Sequence, residues 1–209
     1  MKTQESFRNN KNSLYLVSTP IGNLSDITYR AIEVLKQVDI IFADDTSHSK
    51  ILLDHYGINK KTFSYFDHNE IVSGDKILNY LKEGKEVALI SDAGTPGISD
   101  PGYLIAKEAI KEGFNVVSIP GASALLAALV VSGLALQPFT FIGFLPRKES
   151  EKKAALEIYK YRKETIIIYE APTRINNTLK TIYDILGNRK IALAREMTKK
   201  YETIYRGYL

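Results

Sequence analysis

Cysteine is absent from the 209-residue chain. That excludes disulfides, thiolate zinc sites, iron–sulfur clusters and a cysteine nucleophile. Long hydrophobic runs are absent too: the longest uninterrupted apolar stretch, Ala124 to Val131, is far short of the roughly 18 residues a membrane span needs. The opening MKTQESFRNNKNS has no apolar core of the kind a signal peptide carries, and residues 1–13 read as a disordered polar tail. There is no internal repeat and no low-complexity segment. The expectation left is a soluble, cytoplasmic globular protein with no membrane partner. An apolar content of 44% and a charged content of 25% are ordinary for that class. A chain of this length buries roughly 70% of the surface it exposes when unfolded.

The net charge of +4 is unevenly spread. Residues 1–146 carry 13 Lys+Arg against 16 Asp+Glu, whereas residues 147–209 carry 15 against 8. The positive surplus therefore lies in the last third, as either an ordinary solvated surface or one that faces a polyanion.

Short apolar runs alternate with helical patterns along the first part of the chain. LYLVS (14–18), DIIFA (39–43), KTFSYF (61–66), VALIS (87–91) and NVVSIP (115–120) read as strands. Between them, Ile27, Ala31, Val34, Leu35 and Val38 fall on one helical face behind a cap at Ser25 or Asp26, and further helices are expected near 47–56, 70–82 and 103–112. Apolar rather than alternating strands, separated by helices, indicate parallel β-α units buried on both faces. A domain boundary is expected near Pro120, giving an α/β unit over 14–120 and a second over 121–209. In the second, FTFIGF (139–144), TIIIYE (165–170), KIALAR (190–195) and YETIYRG read as strands, with helices near 123–132, 151–162 and 173–186; its sheet looks unfinished at Leu209.

In an open parallel sheet, ligands bind where strands deliver loops at their carboxyl ends. Four such loops are rich in special residues: STPIGNL, ADDTSHS, SDAGTPGISDPG and IPGASA. The third packs three glycines and two prolines into twelve residues, a rigid path with many free backbone N–H groups that can wrap a small ligand, with Asp92 at its start to fix a hydroxyl or an amine. No G-x-G-x-x-G follows a strand and no P-loop occurs, which argues against a dinucleotide or nucleoside triphosphate site. The three histidines, His48, His55 and His68, lack metal-ligand spacing, and the ADDT carboxylates read as hydrogen-bond anchors rather than a cation site, so no metal is expected. A G-x-S-x-G elbow is also missing. Glu170 with Arg174, and Arg195 with Glu196, are spaced as structural ion pairs. Together with Arg147 and Lys148, which follow the aromatic FTFIGF, their basic members sketch a rim able to meet phosphates and stacked bases.

The motifs STPIGNLSDIT, ADDTSHS, SDAGTPGISDPG, IPGASA with SGL, FIGFLPRK, YEAPTR and AREMTKKYE, in that order over about residues 14–206, resemble the 16S ribosomal RNA (cytidine 2′-O)-methyltransferase family within the tetrapyrrole methylase superfamily. The resemblance implies a two-domain class III methyltransferase fold, with a parallel-sheet N-terminal domain and a mixed-sheet C-terminal domain, binding S-adenosyl-L-methionine between them. It implies a homodimer acting on the small ribosomal subunit at a decoding-region cytidine. Carried over through matched motifs, the cofactor contacts are Ile21, Asp92, Ala93, Gly94, Thr95, Ser123, Ala124, Tyr169 and Ala194. Asp45, Glu170 and Lys199 are candidates to activate the hydroxyl, and Arg147, Lys148, Arg174 and Arg195 to bind RNA.

Two features depart from the pattern. Ser47 stands where relatives carry Arg, and Asp44 where they carry Glu. Relatives also continue past the position of Leu209 with a further helix and strand, so the chain reads as C-terminally shortened. Two other readings stay open: methylation of a tetrapyrrole-like small molecule, and an inactive RNA-binding fragment.

Overall fold

Each of the five apolar runs in the first part of the chain becomes a strand of one parallel sheet. The structure is a computed structural model describing residues 3–209. It divides into two units, one ending at Ser123 and the other comprising Ala124–Leu209, three residues beyond the boundary read from the sequence.

The first unit runs β1 (Ser13–Val17), α1 (Tyr29–Gln37), β2 (Ile40–Ala43), α2 (Thr46–His55), β3 (Lys61–Ser64), α3 (Glu70–Lys82), β4 (Val87–Ile90), α4 (Tyr103–Glu112) and β5 (Asn115–Ile119). The strand order is β3-β2-β4-β1-β5, with every pairing parallel. Alternation along the strands divides the core into two layers. Val17, Ile41, Ala43, Ala88 and Ile90 pack on one face with Val34 and Leu35 of α1 and Leu53 of α2. Leu14, Ile40, Phe42, Val87 and Leu89 pack on the other with Ile77 and Leu81 of α3 and Ile105 and Ala109 of α4. Each fully buried Leu, Ile or Phe contributes about 1.5–3 kcal/mol. The chain leaves neighbouring strands β1 and β4 toward opposite faces, so a crevice opens outside their carboxyl ends, where such sheets take ligands.

Two local expectations change. The first helix starts later than its apolar spacing implies: Leu24–Asp26 is a 3₁₀ turn, and Thr28, accepting from the Ala31 N–H, is the cap. The presumed tail is docked over its described part. Gln4 pairs both ways with the Val116 backbone at 3.0 Å, and the buried Asn115 amide holds Asn9 and the Lys11 carbonyl. Residues 1–2 of that expectation lie outside the described residues.

The second unit comprises α5 (Ala124–Val131), β6 (Phe139–Phe144), α6 (Glu149–Glu157), β7 (Thr165–Tyr169), α7 (Ile175–Leu186), β8 (Lys190–Arg195) and β9 (Thr203–Tyr208). Parallel and antiparallel pairings are both present, but not in one mixed sheet: β6 and β7 form a parallel pair and β8 and β9 an antiparallel one. A cavity of about 360 Å³ separates the pairs, lined by Ile166 and Ile168 of β7, Ile182 of α7, and Ile191 and Leu193 of β8. Glu149 ties α6 to α7, accepting from Thr181 at 2.6 Å, Asn177 at 3.1 Å and the buried Lys152 ammonium at 3.2 Å. These donors, Thr181 foremost, hold its carboxyl down at about 2. Among the described residues, no helix is long and apolar enough to cross a membrane.

Candidate active site

At the carboxyl ends of β1, β4 and β5, three loops are knotted together. Thr19 and Gly94 exchange backbone hydrogen bonds at 2.8 and 3.1 Å, and the Thr19 hydroxyl donates to the Ser91 carbonyl. The Ser18 and Thr95 hydroxyls share a bond of 2.8 Å. Gly94 lies at φ +83°, and a Cβ there would come within 3.7 Å of Ile21 and 3.9 Å of the Ala122 carbonyl. Gly121 is more constrained by space: a Cβ would sit 2.8 Å from the Ser18 Cβ and 3.3 Å from its carbonyl oxygen. Glycine therefore lets the β5 loop close against β1, and the knot brings Ile21, Asp92, Ala93, Gly94, Thr95 and the approach to Ser123 into one region.

The β2 loop joins through its acids. The Asp45 N–H donates to Asp92 Oδ1 at 3.0 Å, while Asp45 Oδ1 caps α2 by accepting from Ser47 at 2.7 Å and His48 at 3.3 Å. Ser47, at the expected Arg position, thus contributes its backbone to the cap. Asp44 and Asp100 complete a cluster that sequence reasoning missed, although SDPG ends the long loop and carries Asp100. Burial and the carboxylates of Asp44 and Asp92 push Asp100 up to about 6, against an opposing Ser91 hydrogen bond. Burial and the neighbouring Asp92, Asp67 and Asp45 raise Asp44 as well. Such a cluster disfavours anions and favours cationic or hydroxyl-bearing groups. Among the described residues, no group of three or more His, Asp or Glu side chains is arranged to hold a metal ion.

In the second unit, Ala124 opens α5, and the Tyr169 hydroxyl accepts from the Leu125 N–H at 3.0 Å. Ala194 lies on β8 opposite Ile204. The Glu170 side chain, only 4% exposed, is engaged by its own surroundings: Thr178 donates at 2.6 Å, the Ala171 N–H at 2.8 Å, and Arg174 Nε lies at 3.3 Å. Arg174 in turn donates to the Leu145 and Pro146 carbonyls. Glu170 and Arg174 of the YEAPTR motif therefore form a clamp, its carboxylate buried and its guanidinium partly so. Arg147, Lys148 and Arg195 are exposed; Lys148 forms a solvent-exposed pair with Glu151 at 3.5 Å, and the exposed Lys199 one with Glu196 at 3.4 Å.

A profile of the tetrapyrrole (corrin/porphyrin) methylases matches residues 13–209. The ribosomal RNA small subunit methyltransferase I of Halalkalibacterium halodurans is 51% identical over all of this chain and 73% of its own length. The Bacillus subtilis protein of the same name is 52% identical over 99% of this chain and 72% of its own length. Among solved structures, cobalt precorrin-4 methyltransferase aligns with a TM-score of 0.65 at 21% identity, covering 93% of this chain and 84% of that one. Diphthine synthase aligns with 0.69 at 16%, covering 93% and 81%. These two likenesses bear on the fold, and they agree with the five-stranded parallel sheet. On near-complete coverage and half-identical relatives, the chain belongs to the tetrapyrrole methylase family, in the group of the ribosomal RNA small subunit methyltransferases I.

Proposed function

We propose that this protein transfers the methyl group of S-adenosyl-L-methionine to the 2′-oxygen of a decoding-region cytidine in 16S ribosomal RNA, acting as a homodimer on the small ribosomal subunit. The observation that carries this reading is half-identity over the whole chain to proteins named ribosomal RNA small subunit methyltransferase I. The cytidine and the 2′-oxygen follow from the motif resemblance. The positive surplus over residues 147–209 is of the sign an RNA substrate requires.

The residues present fit the cofactor. The side chain missing at Gly94 leaves backbone approachable beside Ile21 and Ala122, and Asp92 and Thr95 supply polar groups on the same knot. Ile21, Asp92, Ala93, Gly94, Thr95 and Ser123 are the proposed contacts of the first unit, and Ala124, Tyr169 and Ala194 those of the second. When bound, the cofactor supplies a methyl group on a cationic sulfonium. The protein's task is then chiefly alignment, which contributes up to roughly 7–11 kcal/mol in favourable cases.

A ribose hydroxyl is a weak nucleophile, and a group that accepts its proton adds about 10²–10⁴-fold. Of the three candidates, Asp45 is the one that reaches the loop knot, through its bond to Asp92. Its exposed carboxylate is assigned to orient the 2′-hydroxyl and take its proton. Both oxygens of Glu170 already accept from neighbouring donors, and Lys199 is assigned, with Arg147, Lys148 and Arg195, to phosphate contacts.

The test is methyl transfer from labelled cofactor to undermethylated small subunits, followed by alkaline hydrolysis. A 2′-O-methyl group blocks cleavage, so one protected cytidine is expected; absence of a protected step, with cofactor binding intact, removes the proposed substrate. Asp45→Asn keeps the helix cap, since Asn caps as well as Asp, and should lower turnover by about 10²–10⁴-fold. Near-normal turnover at saturating RNA would remove Asp45 from this role.

A further inference from the structure

β6 and β7 lose register once. Phe141 lies opposite Ile167, Gly143 opposite Ile168 and Phe144 opposite Tyr169. Ile142 and Gly143 thus share one partner position, with Gly143 at φ +68°. In a regular strand, residues three apart point to opposite faces. The extra residue re-aims the chain, so Phe141 and Phe144 both meet the Tyr169 ring, with centroids at 4.8 and 5.6 Å and planes at 67° and 62°. Tyr169 is itself tied to α5 through the Leu125 N–H.

Phe141 is partly buried in this trio, whereas Phe144 stays 55% exposed. The turn that follows is pinned. Leu145 is buried, and Arg174, anchored on Glu170, holds the Leu145 and Pro146 carbonyls at 3.0 and 3.2 Å. Arg147 and Lys148 come next, both exposed. The bulge and the clamp thus fix a half-exposed ring beside a turn that ends in two cations. An unpaired nucleobase stacks on any exposed aromatic face, and its flanking phosphates need cations within a few residues. A contact between proteins has no such need of paired cations, and the charge of the whole last third is of the same sign.

We propose that Phe144 is a stacking platform for an unpaired base of the RNA substrate. Arg147 and Lys148 take the adjoining phosphates, and the Glu170–Arg174 pair acts as a positioning device for the turn. This inference rests on the RNA reading above and adds the residues that grip the nucleic acid.

The experiment is equilibrium binding of a decoding-region 16S RNA hairpin, with 2-aminopurine replacing unpaired bases in turn, to the wild-type protein and to Phe144→Ala, Phe144→Leu and Phe144→Trp. Alanine and leucine should each weaken binding about 5- to 150-fold and abolish quenching at one position, while tryptophan preserves both. The loss should not change with salt. Arg147→Ala and Lys148→Ala should instead lower the log–log salt slope by about one each. Leucine keeps apolar cover over Tyr169, so a loss shared by alanine and leucine reports the ring rather than folding. Unchanged RNA affinity in both variants overturns the proposal. So does an equal loss of cofactor binding, or conversion of a dimer to monomers. Failure of the wild-type protein to bind any RNA would instead refute the functional reading beneath it.

Discussion

Removing the charge of Asp100 should stabilise the first unit at neutral pH and do nothing in acid. Burial and the carboxylates of Asp44 and Asp92 lift this group from its ordinary 3.8 to about 6. Two pH units correspond to roughly 3 kcal/mol at 1.36 kcal/mol per unit. The carboxyl is partly exposed, and solvent screening reduces that to about 1–2 kcal/mol. Below about pH 3 both folded and unfolded chains hold the proton, and the group is neutral toward stability. Between about 3 and 6 the unfolded chain releases it first while the folded one keeps it, so stability falls as pH rises, and above 6 the full cost remains. Asp100→Asn eliminates that cost and can still accept from Ser91. Thermal unfolding should show the variant melting roughly 3–10 °C higher than wild type at pH 7.5, with the two coinciding at about pH 3. An equal difference at both pH values, or a variant less stable at pH 7.5, would refute the argument that burial, with the neighbouring carboxylates, raises this group.

Two further outcomes follow from the same geometry. Gly121→Ala places a Cβ 2.8 Å from the Ser18 Cβ and 3.3 Å from its carbonyl oxygen; it should cost about 1–3 kcal/mol in urea unfolding and weaken cofactor binding, because neither backbone has room to retreat. Glu170→Gln should lower stability by about 1.5–3 kcal/mol through weakened charge-assisted bonds to Thr178 and Arg174, yet leave the pH profile of turnover unmoved; a profile that loses its acidic-side limb would make Glu170 a proton acceptor after all.

The fold of the first unit was legible because its physics is local. VALI and IIFA are buried on every residue, as strands covered by helices on both faces must be, and continuous apolar runs announce that without tertiary information. The 70–82 and 103–112 helices coincide with α3 and α4 for the same reason. The start of α1 was less legible. Ile27 continues the apolar spacing, but Thr28 supplies the cap, and a cap is decided by one side-chain bond rather than by periodicity. The presumed tail shows the complementary weakness: Gln4 and Asn9 look like solvated polar residues until Val116 and Asn115, more than a hundred positions away, present matching groups.

The site divides along the same line. Its loops could be named from glycine, proline and aspartate content, since those residues signal unusual backbone wherever they occur. What each polar side chain does there depends on who reaches it first. YEAPTR offers a carboxylate and a guanidinium that look equally suited to catalysis or to RNA, but Thr178 from the helix beyond takes one oxygen, and the carbonyls of Leu145 and Pro146 take the guanidinium. FTFIGF alternates on paper, yet Gly143 at φ +68° breaks the alternation and sends Phe144 to the face of Phe141. These two hidden events are coupled. The bulge aims the ring, the clamp holds the turn behind it, and Arg147 and Lys148 inherit a fixed position from both. A motif that reads as a set of reactive groups therefore acts, in three dimensions, as the support for a neighbouring surface. The single substitution Arg174→Lys, which keeps the charge but loses the planar guanidinium whose Nη2 serves both carbonyls while Nε faces Glu170, would separate those two roles.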